Sequence, residues 1–414
     1  MGGSGMHMES AAVRFMEATA HGIRGQRLRW EPISPEDWRL LFRLAETQKL
    51  LPMVVEAVCE CANAAQNPVF WAYSQAAKRQ VVQQARQDAA FLPLYRELRK
   101  AGIPVLVVKG SICRSVYPNG GLRISADEDL LAEETQFPKA CQVLRSLGLR
   151  PNPTANEDLD HEIGWHSPDG LLCLELHKSL FAPDSGPFGL LQTVFSNVFD
   201  RAASYRTELG ELLSLSPHDH LLYLLLHAMK HFIRTGFGLR QVSDIGLWAE
   251  RFGSQIDWPL LHEQCSLVHA LRFCGAVFSL TEQLGITPRL PALWQAELTD
   301  PSDMLADILD GGIYGSSTMA RQHTARITQD AVAAQQQGKH RSLRTTLFPP
   351  ASALERDYPI LTRKPALLPI VWQRRLIDYL KQSRTTEDDH PSESLRLGRH
   401  RLALLKEYGI LDEI

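Results

Sequence analysis

No stretch of the 414-residue sequence is apolar for long enough to cross a bilayer. The longest apolar run, LLYLLLHAM at 221–229, stops at Lys230 and His231, so no membrane association is expected. Cysteine is sparse. The seven are scattered, odd in number and form no pair of C-x-x-C elements, which argues against a disulfide scaffold and a zinc ribbon. Cys59 and Cys61 are two apart in a helical stretch and so face different ways. Reduced thiols in a cytoplasmic protein fit this usage. Charge of one sign is also lacking. A net charge of −3 gives no reason to expect wholesale binding to nucleic acid. No internal repeat or long low-complexity tract is present. The opening MGGSGMHMES (1–10) reads as an expression scar.

Ordinary globular material remains, with 44% hydrophobic and 22% charged residues. Residues 11–102 read as an N-terminal helical region. Ser34-Pro35-Glu36-Asp37 is a helix start, with a serine cap, proline at the first position and acids in the first turn. A long helical pattern runs from about Trp71 to Lys100 and stops at Gly102. Residues 206–300 return to helix, opened by Ser216-Pro217-His218-Asp219. Within them Arg240 to Phe252 and Trp258 to Leu284 keep the helical period. Residues 301–414 are mostly helical, with weak signal and glycine loops over 300–350, a helix from Leu367 to Lys381, a flexible polar link at 383–394 and a short last helix from about Leu395.

The stretch IPVLVVKGSICRSVYPNGGLRISADEDLL (103–131) breaks the helical pattern. IPVLVV predicts a strand buried on both faces. Lys109-Gly110-Ser111 then turns into a short helix, and a second strand carries Asp127 and Asp129. Side chains two apart on a strand share a face. Two acids held together repel unless a cation or proton lies between them. Magnesium suits such a pair and leaves room for phosphate. Glu128 points the other way. HEIGWH (161–166) and LLCLELH (171–177) flank Ser167-Pro168-Asp169-Gly170 and predict a hairpin. Its Glu175 is a third acid, either a metal ligand or a partner of His161 or His177. Gly110 and Ser111 form a corner suited to phosphate, with Lys109 and Arg123 as cations beside it. Lys109 has a second reading, as the ion-pair partner of Asp127.

This constellation resembles the polymerase β-like nucleotidyltransferase superfamily. More narrowly, Lys109-Gly110, Tyr117-Pro118, Leu122-Arg123 and Asp127 to Leu131 resemble the bacterial group labelled "uncharacterised nucleotidyltransferase". The resemblance implies an α+β protein, with a small mixed-sheet nucleotidyltransferase core (103–205) embedded in a mainly helical frame. It implies Mg2+ (or Mn2+) held by Asp127, Asp129 and Glu175, and a nucleoside triphosphate whose phosphates rest on Gly110 and Ser111. The activity implied is transfer of a nucleoside monophosphate to a hydroxyl acceptor, with a peptide or small molecule favoured over nucleic acid. Glu128 departs from the superfamily, where that residue is apolar. It implies an exposed opposite face or a degenerate site.

Two other readings use the same residues: phosphoryl transfer, and an inactive nucleotide-binding scaffold. His227 and His231 share a helix face, but the acid of a His-Glu-x-x-His zinc motif is missing. Packing or a substrate contact is preferred for them. Arg240 and Asp244 read as an i,i+4 ion pair, and KHRSLR (339–344) as a solvated basic face.

Overall fold

The computed structural model describes residues 2–311, 319–336, 360–374 and 391–412, with residues 351, 354 and 358 between them. The fold is α+β: a small mixed sheet inside a mainly helical frame. The frame opens with α1 (Gly2–Ile23), α2 (Pro35–Thr47), α3 (Leu51–Val58) and α4 (Pro68–Lys100). Ser34 caps α2 by accepting from the Asp37 amide, and Asn67 does the same for α4. Gly102 ends α4 with φ +74°. The frame begins earlier than the sequence suggests, because α1 runs through most of the presumed scar.

Five strands make the sheet: β1 (Val105–Val107), β2 (Glu128–Ala132), β3 (Arg150–Pro151), β4 (Glu162–His166) and β5 (Cys173–His177). Their order is β1-β2-β5-β4-β3. β2 and β5 run parallel, and the other pairs are antiparallel. A connection long enough for a parallel pair comes from α6 (Phe137–Ser146) and the β4–β5 hairpin. The hairpin turn forms where expected, with Gly170 at φ +68°. The apolar run at 103–108 yields a strand of only three residues, all buried. Between β1 and β2 lies α5 (Ser111–Arg114), a single turn of helix. A short helix, α7 (Gly189–Gln192), and a hairpin of β6 (Ala203–Thr207) and β7 (Gly210–Ser214) follow. That hairpin is absent from the sequence reading. Its mark is the Thr207–Gly210 turn, with Gly210 at φ +104°.

The frame then closes over the sheet with α8 (Pro217–Arg234), α9 (Leu239–Phe252), α10 (Trp258–Leu267), α11 (Leu271–Gln283) and α12 (Ala292–Gln295). The expected helix over Trp258–Leu284 is two helices, broken at His269 with φ 55°. The stretch after 300 is more helical than expected. It holds α13 (Ser302–Gly311), α14 (Met319–Gln336) and a last helix over Pro391–Glu407, which starts inside the expected polar link. The glycine loop at 312–315, the basic run at 339–344, and residues 375–381 and 383–390 of the expected helix and link lie outside the described residues. One apolar cluster joins the frame to the sheet, from Phe15 and Trp38 through Val107 and Leu130 to Trp248 and Tyr408. No helix among the described residues is long and apolar enough to cross a membrane.

His220 shows how sheet and frame are tied. Its ring stacks on Trp248 with centroids 4.0 Å apart. Its Nδ1 lies 3.2 Å from the Ser214 hydroxyl, which donates to the Val107 carbonyl at 2.6 Å. Nδ1 is therefore the protonated nitrogen of a neutral ring. Burial pushes its pKa down to about 3. The unfolded ring takes up its proton near the ordinary value of about 6.5, so stability is lost as pH falls from there toward 3. In denaturant titrations between about pH 4 and 6, His220→Leu should show a slope of unfolding free energy against pH that is smaller by ~1.4 kcal/mol per unit. Equal slopes would show that the folded ring already carries a proton.

Candidate metal centre and its cleft

Backbone pairing builds one polar face of the sheet. Asp129 lies opposite Glu175 across the parallel pair, and Leu131 opposite His177. Across the hairpin, Glu175 faces Gly164 and His177 faces Glu162. With a side-chain period of two, Asp129, Glu175, His177 and Glu162 all project to the same side. Leu130, Leu174, Leu176 and Ile163 project to the other and are buried.

Asp129 is 1% exposed, yet neither of its carboxylate oxygens has a hydrogen bond among the described residues. Its Oδ1 is 3.1 Å from Lys109 Nζ and 3.4 Å from His177 Nε2, approaches governed by charge. His177 Nε2 is 3.7 Å from Glu175 Oε2, and its Nδ1 is 3.5 Å from Glu162 Oε2. Asp129, Glu175 and His177 each offer a ligand atom, and these atoms lie within 4.8 Å of one another. A buried charge is expensive unless it is paired. Lys109 and His177 meet Oδ1, while Oδ2 has no partner among the described residues and Glu175 adds a second negative charge. The donor set therefore fits a divalent ion. Glu175 is 40% exposed, which opens the set to solvent. Asp127 precedes β2, is half-buried and lines the same cleft as Asp129 and Lys109.

Charge is balanced internally. Burial alone would raise the Asp129 carboxyl, but Lys109 and His177 outweigh it and hold it well below the usual carboxylate range. Burial opposes a charged His177, but Asp129 and Glu175 push its pKa up to about 9. Burial also disfavours the Lys109 ammonium, which Asp129 keeps well above its ordinary value. Burial, with repulsion from Asp129, raises Asp127 to about 6. Lys109 thus pairs with Asp129, where the sequence suggested Asp127.

The Gly110–Ser111 corner is engaged from behind. The Ser111 amide donates to Glu128 Oε2 at 2.9 Å. Arg114 Nη2 donates to Glu128 Oε1 at 3.0 Å and to the Ser111 hydroxyl at 2.8 Å. Gly110 has φ +62°, and a Cβ there would run into the Glu128 carboxylate. Glu128 is 4% exposed. It is neither on an open face nor in the cleft, so it gives no argument for a degenerate site. Gly110 lines the cleft, whereas Ser111 lines a separate pocket with Arg114 and Arg206.

Arg123 lines the cleft but is held by Asp244, through Nε at 3.1 Å and Nη2 at 2.5 Å. Tyr117 adds a hydrogen bond to the same carboxylate at 2.8 Å. This overturns the i,i+4 pair of Arg240 with Asp244. The guanidinium of Arg123 offers two parallel donors, and Arg240 instead donates to the Ile124 carbonyl at 2.5 Å. From α8, His227 and His231 face the cleft, edge to face with centroids 4.5 Å apart. His227 Nε2 lies 3.4 Å from Lys109 Nζ. Burial, followed by the positive charge of Lys109, keeps both rings neutral.

Residues 34–285 match the family described as "Uncharacterised nucleotidyltransferase". The chain belongs to that family. The match covers over half of the sequence and includes every residue of the cleft named above. Among solved structures, this nucleotidyltransferase-family chain is similar to an antigenic nucleotidyltransferase-like protein from Paracoccidioides brasiliensis. The identity is 13% and the TM-score 0.30, over 50% of this chain and 95% of that one. No curated protein matches the chain.

Of the residues singled out from sequence, the fold gathers Lys109, Gly110, Arg123, Asp127 and Asp129 around one cleft, sets Glu175 beside Asp129 in the metal-ligand group, and turns Ser111 away. His177 as a candidate metal ligand and Arg240 as a cleft residue are not among the residues the sequence singled out. The Glu-x-His spacing, with both side chains on one face, was the available signal for the first. Asp244→Ala leaves a buried Arg123 without its anion, a loss of about 3–5 kcal/mol. Thermal or denaturant unfolding should show it. A change below about 1 kcal/mol would mean that the pair behaves as a solvated one.

Proposed function

We propose that this chain is a metal-dependent nucleotidyltransferase that moves a nucleoside monophosphate from a nucleoside triphosphate to a hydroxyl acceptor. The observation that carries this reading is the buried Asp129 carboxylate beside Glu175 and His177, with Oδ1 in ion pairs and Oδ2 without a partner among the described residues. These three residues would hold the ion, with Asp127 at the mouth of the cleft. His177, kept charged by its acidic neighbours in the ion-free site, would release its Nε2 proton as the ion binds. The imidazole in the set favours Mn2+ over Mg2+, which prefers oxygen donors alone. When bound, such an ion neutralises triphosphate charge and makes an acceptor hydroxyl easier to deprotonate.

The chain's own groups supply the rest. Lys109 carries a positive charge between Asp129 and His227, where it can balance phosphate. Glu162, across the hairpin from His177, orients that ring through Nδ1. Leu224 of α8 forms an apolar part of the cleft wall and limits water. The family resemblance suggests a peptide or small-molecule acceptor, and a net charge of −3 gives no reason to expect nucleic acid. The reduced cysteines suit the cytoplasm.

Binding can be read without turnover. Titration of Mn2+ followed by electron paramagnetic resonance should show binding that Asp129→Asn and His177→Gln each weaken by roughly tenfold or more. Incubation with cell extract and a triphosphate labelled at the α or γ position should then label the acceptor from the α position only. Label arriving from the γ position would identify phosphoryl transfer and end the reading. Unchanged Mn2+ affinity in both variants would remove the metal centre from it.

A further inference from the structure

We propose that the anionic tail of the substrate is gripped by the helical wall, through Arg240 with His227 and His231 and opposite Lys109 just after β1, and not by the Gly110–Ser111 corner. The inference rests on the nucleotidyltransferase reading and departs from the role its resemblance gave to the corner.

The corner already has its anion. Glu128 Oε2 accepts from the Ser111 amide at 2.9 Å, and Arg114 satisfies the other carboxylate oxygen and the Ser111 hydroxyl. Ser111 is 2% exposed. A phosphate brought to this amide would have to displace a buried carboxylate or lie against it, and like charges at that range repel strongly. The second cation expected there is also committed. Arg123 gives two donors to Asp244 and a third to the Ser125 hydroxyl at 2.6 Å.

The opposite wall is built differently. Arg240, from the first turn of α9, is 8% exposed and lines the cleft. It forms no ion pair among the described residues, and its Nε has no hydrogen-bond partner there. Its one hydrogen bond, to the Ile124 carbonyl, fixes the guanidinium at the cleft wall. A buried, anchored guanidinium with a spare donor, which feels Asp127 only at longer range and forms no direct ion pair, is placed to take an anion, and its planar fork matches phosphate oxygens. His227 and His231 stand on the neighbouring helix in the same cleft, with Lys109 at 3.4 Å from His227. The cleft therefore has acids on its sheet side and donors on its helix side. A metal-bound polyphosphate needs both.

Inorganic tripolyphosphate with Mn2+ is the probe, followed by isothermal titration calorimetry on the full chain. Wild type should bind it. Arg240→Gln should weaken binding about ten- to hundredfold, since a hydrogen bond to a charged group is lost. Arg240→Lys keeps the charge without the fork and should fall between. His227→Asn should weaken binding severalfold. Ser111→Ala should stay within about twofold of wild type. Melting temperatures without ligand exclude misfolding. If Arg240→Gln is unstable, Arg240→Lys and His227→Asn carry the comparison. The proposal is overturned if Ser111→Ala weakens binding as much as the helix-wall variants do, if those variants bind like wild type, or if wild type does not bind tripolyphosphate. Metal-dependent nucleotide binding by wild type would leave the nucleotidyltransferase reading standing in each of those cases, and its absence would remove both.

Discussion

A buried carboxylate held by charged neighbours is the constraint around which this fold is arranged. Asp129 would neutralise itself by taking up a proton if burial acted alone. It stays ionised because Lys109 and His177 stand beside it. Both neighbours are placed by backbone. Lys109 follows β1, whose exit is fixed by the Val108 amide donating to the Asp129 carbonyl at 3.0 Å. His177 arrives by the parallel register of β5 on β2. A shift of one residue in either pairing would turn these side chains to the apolar face. Electrostatics and sheet register are therefore one specification.

The frame is part of the same specification. Asp244 of α9 reaches the loop before β2 and binds Arg123 and Tyr117 together. Arg114 joins Glu128 to Asp88 of α4. The loop between the corner and the acids is thus held from two sides by helices distant in sequence. A long connection that would otherwise be mobile becomes a fixed wall of the cleft.

Much of this was legible in the sequence, and the boundary has a physical basis. The strand carrying Asp129, the Ser-Pro-Asp-Gly turn and the capped helix starts depend on neighbours a few residues away and formed as expected, whereas Asp127, expected on that strand, lies just before it. The partner of Asp244 did not. An i,i+4 contact on a helix is worth a few tenths of a kcal/mol, and a bidentate arginine from 121 residues away outcompetes it. Glu128 was ambiguous for a similar reason. Whether a charge on the back of a strand meets water or Arg114 depends on what packs there. The role of His177 needed the parallel pairing, which no local pattern encodes. Helix α14 gave a weak sequence signal because it packs on the helix over Pro391–Glu407 and on α8, which lie far from it in sequence.

The contacts of that last region bear on α8. The final carbonyls of a helix have no partner within it. Here the Phe232 carbonyl accepts from Arg401, that of Ile233 from Thr328 at 2.5 Å and that of Thr235 from Arg321 at 3.1 Å. Arg401 and Arg321 are themselves fastened to Asp307. The segment beyond residue 300 is therefore the buttress of the histidine-bearing helix. A chain shortened at that point would leave three carbonyls unmet in the turn that follows His231, and α8 would fray from the end that carries this histidine.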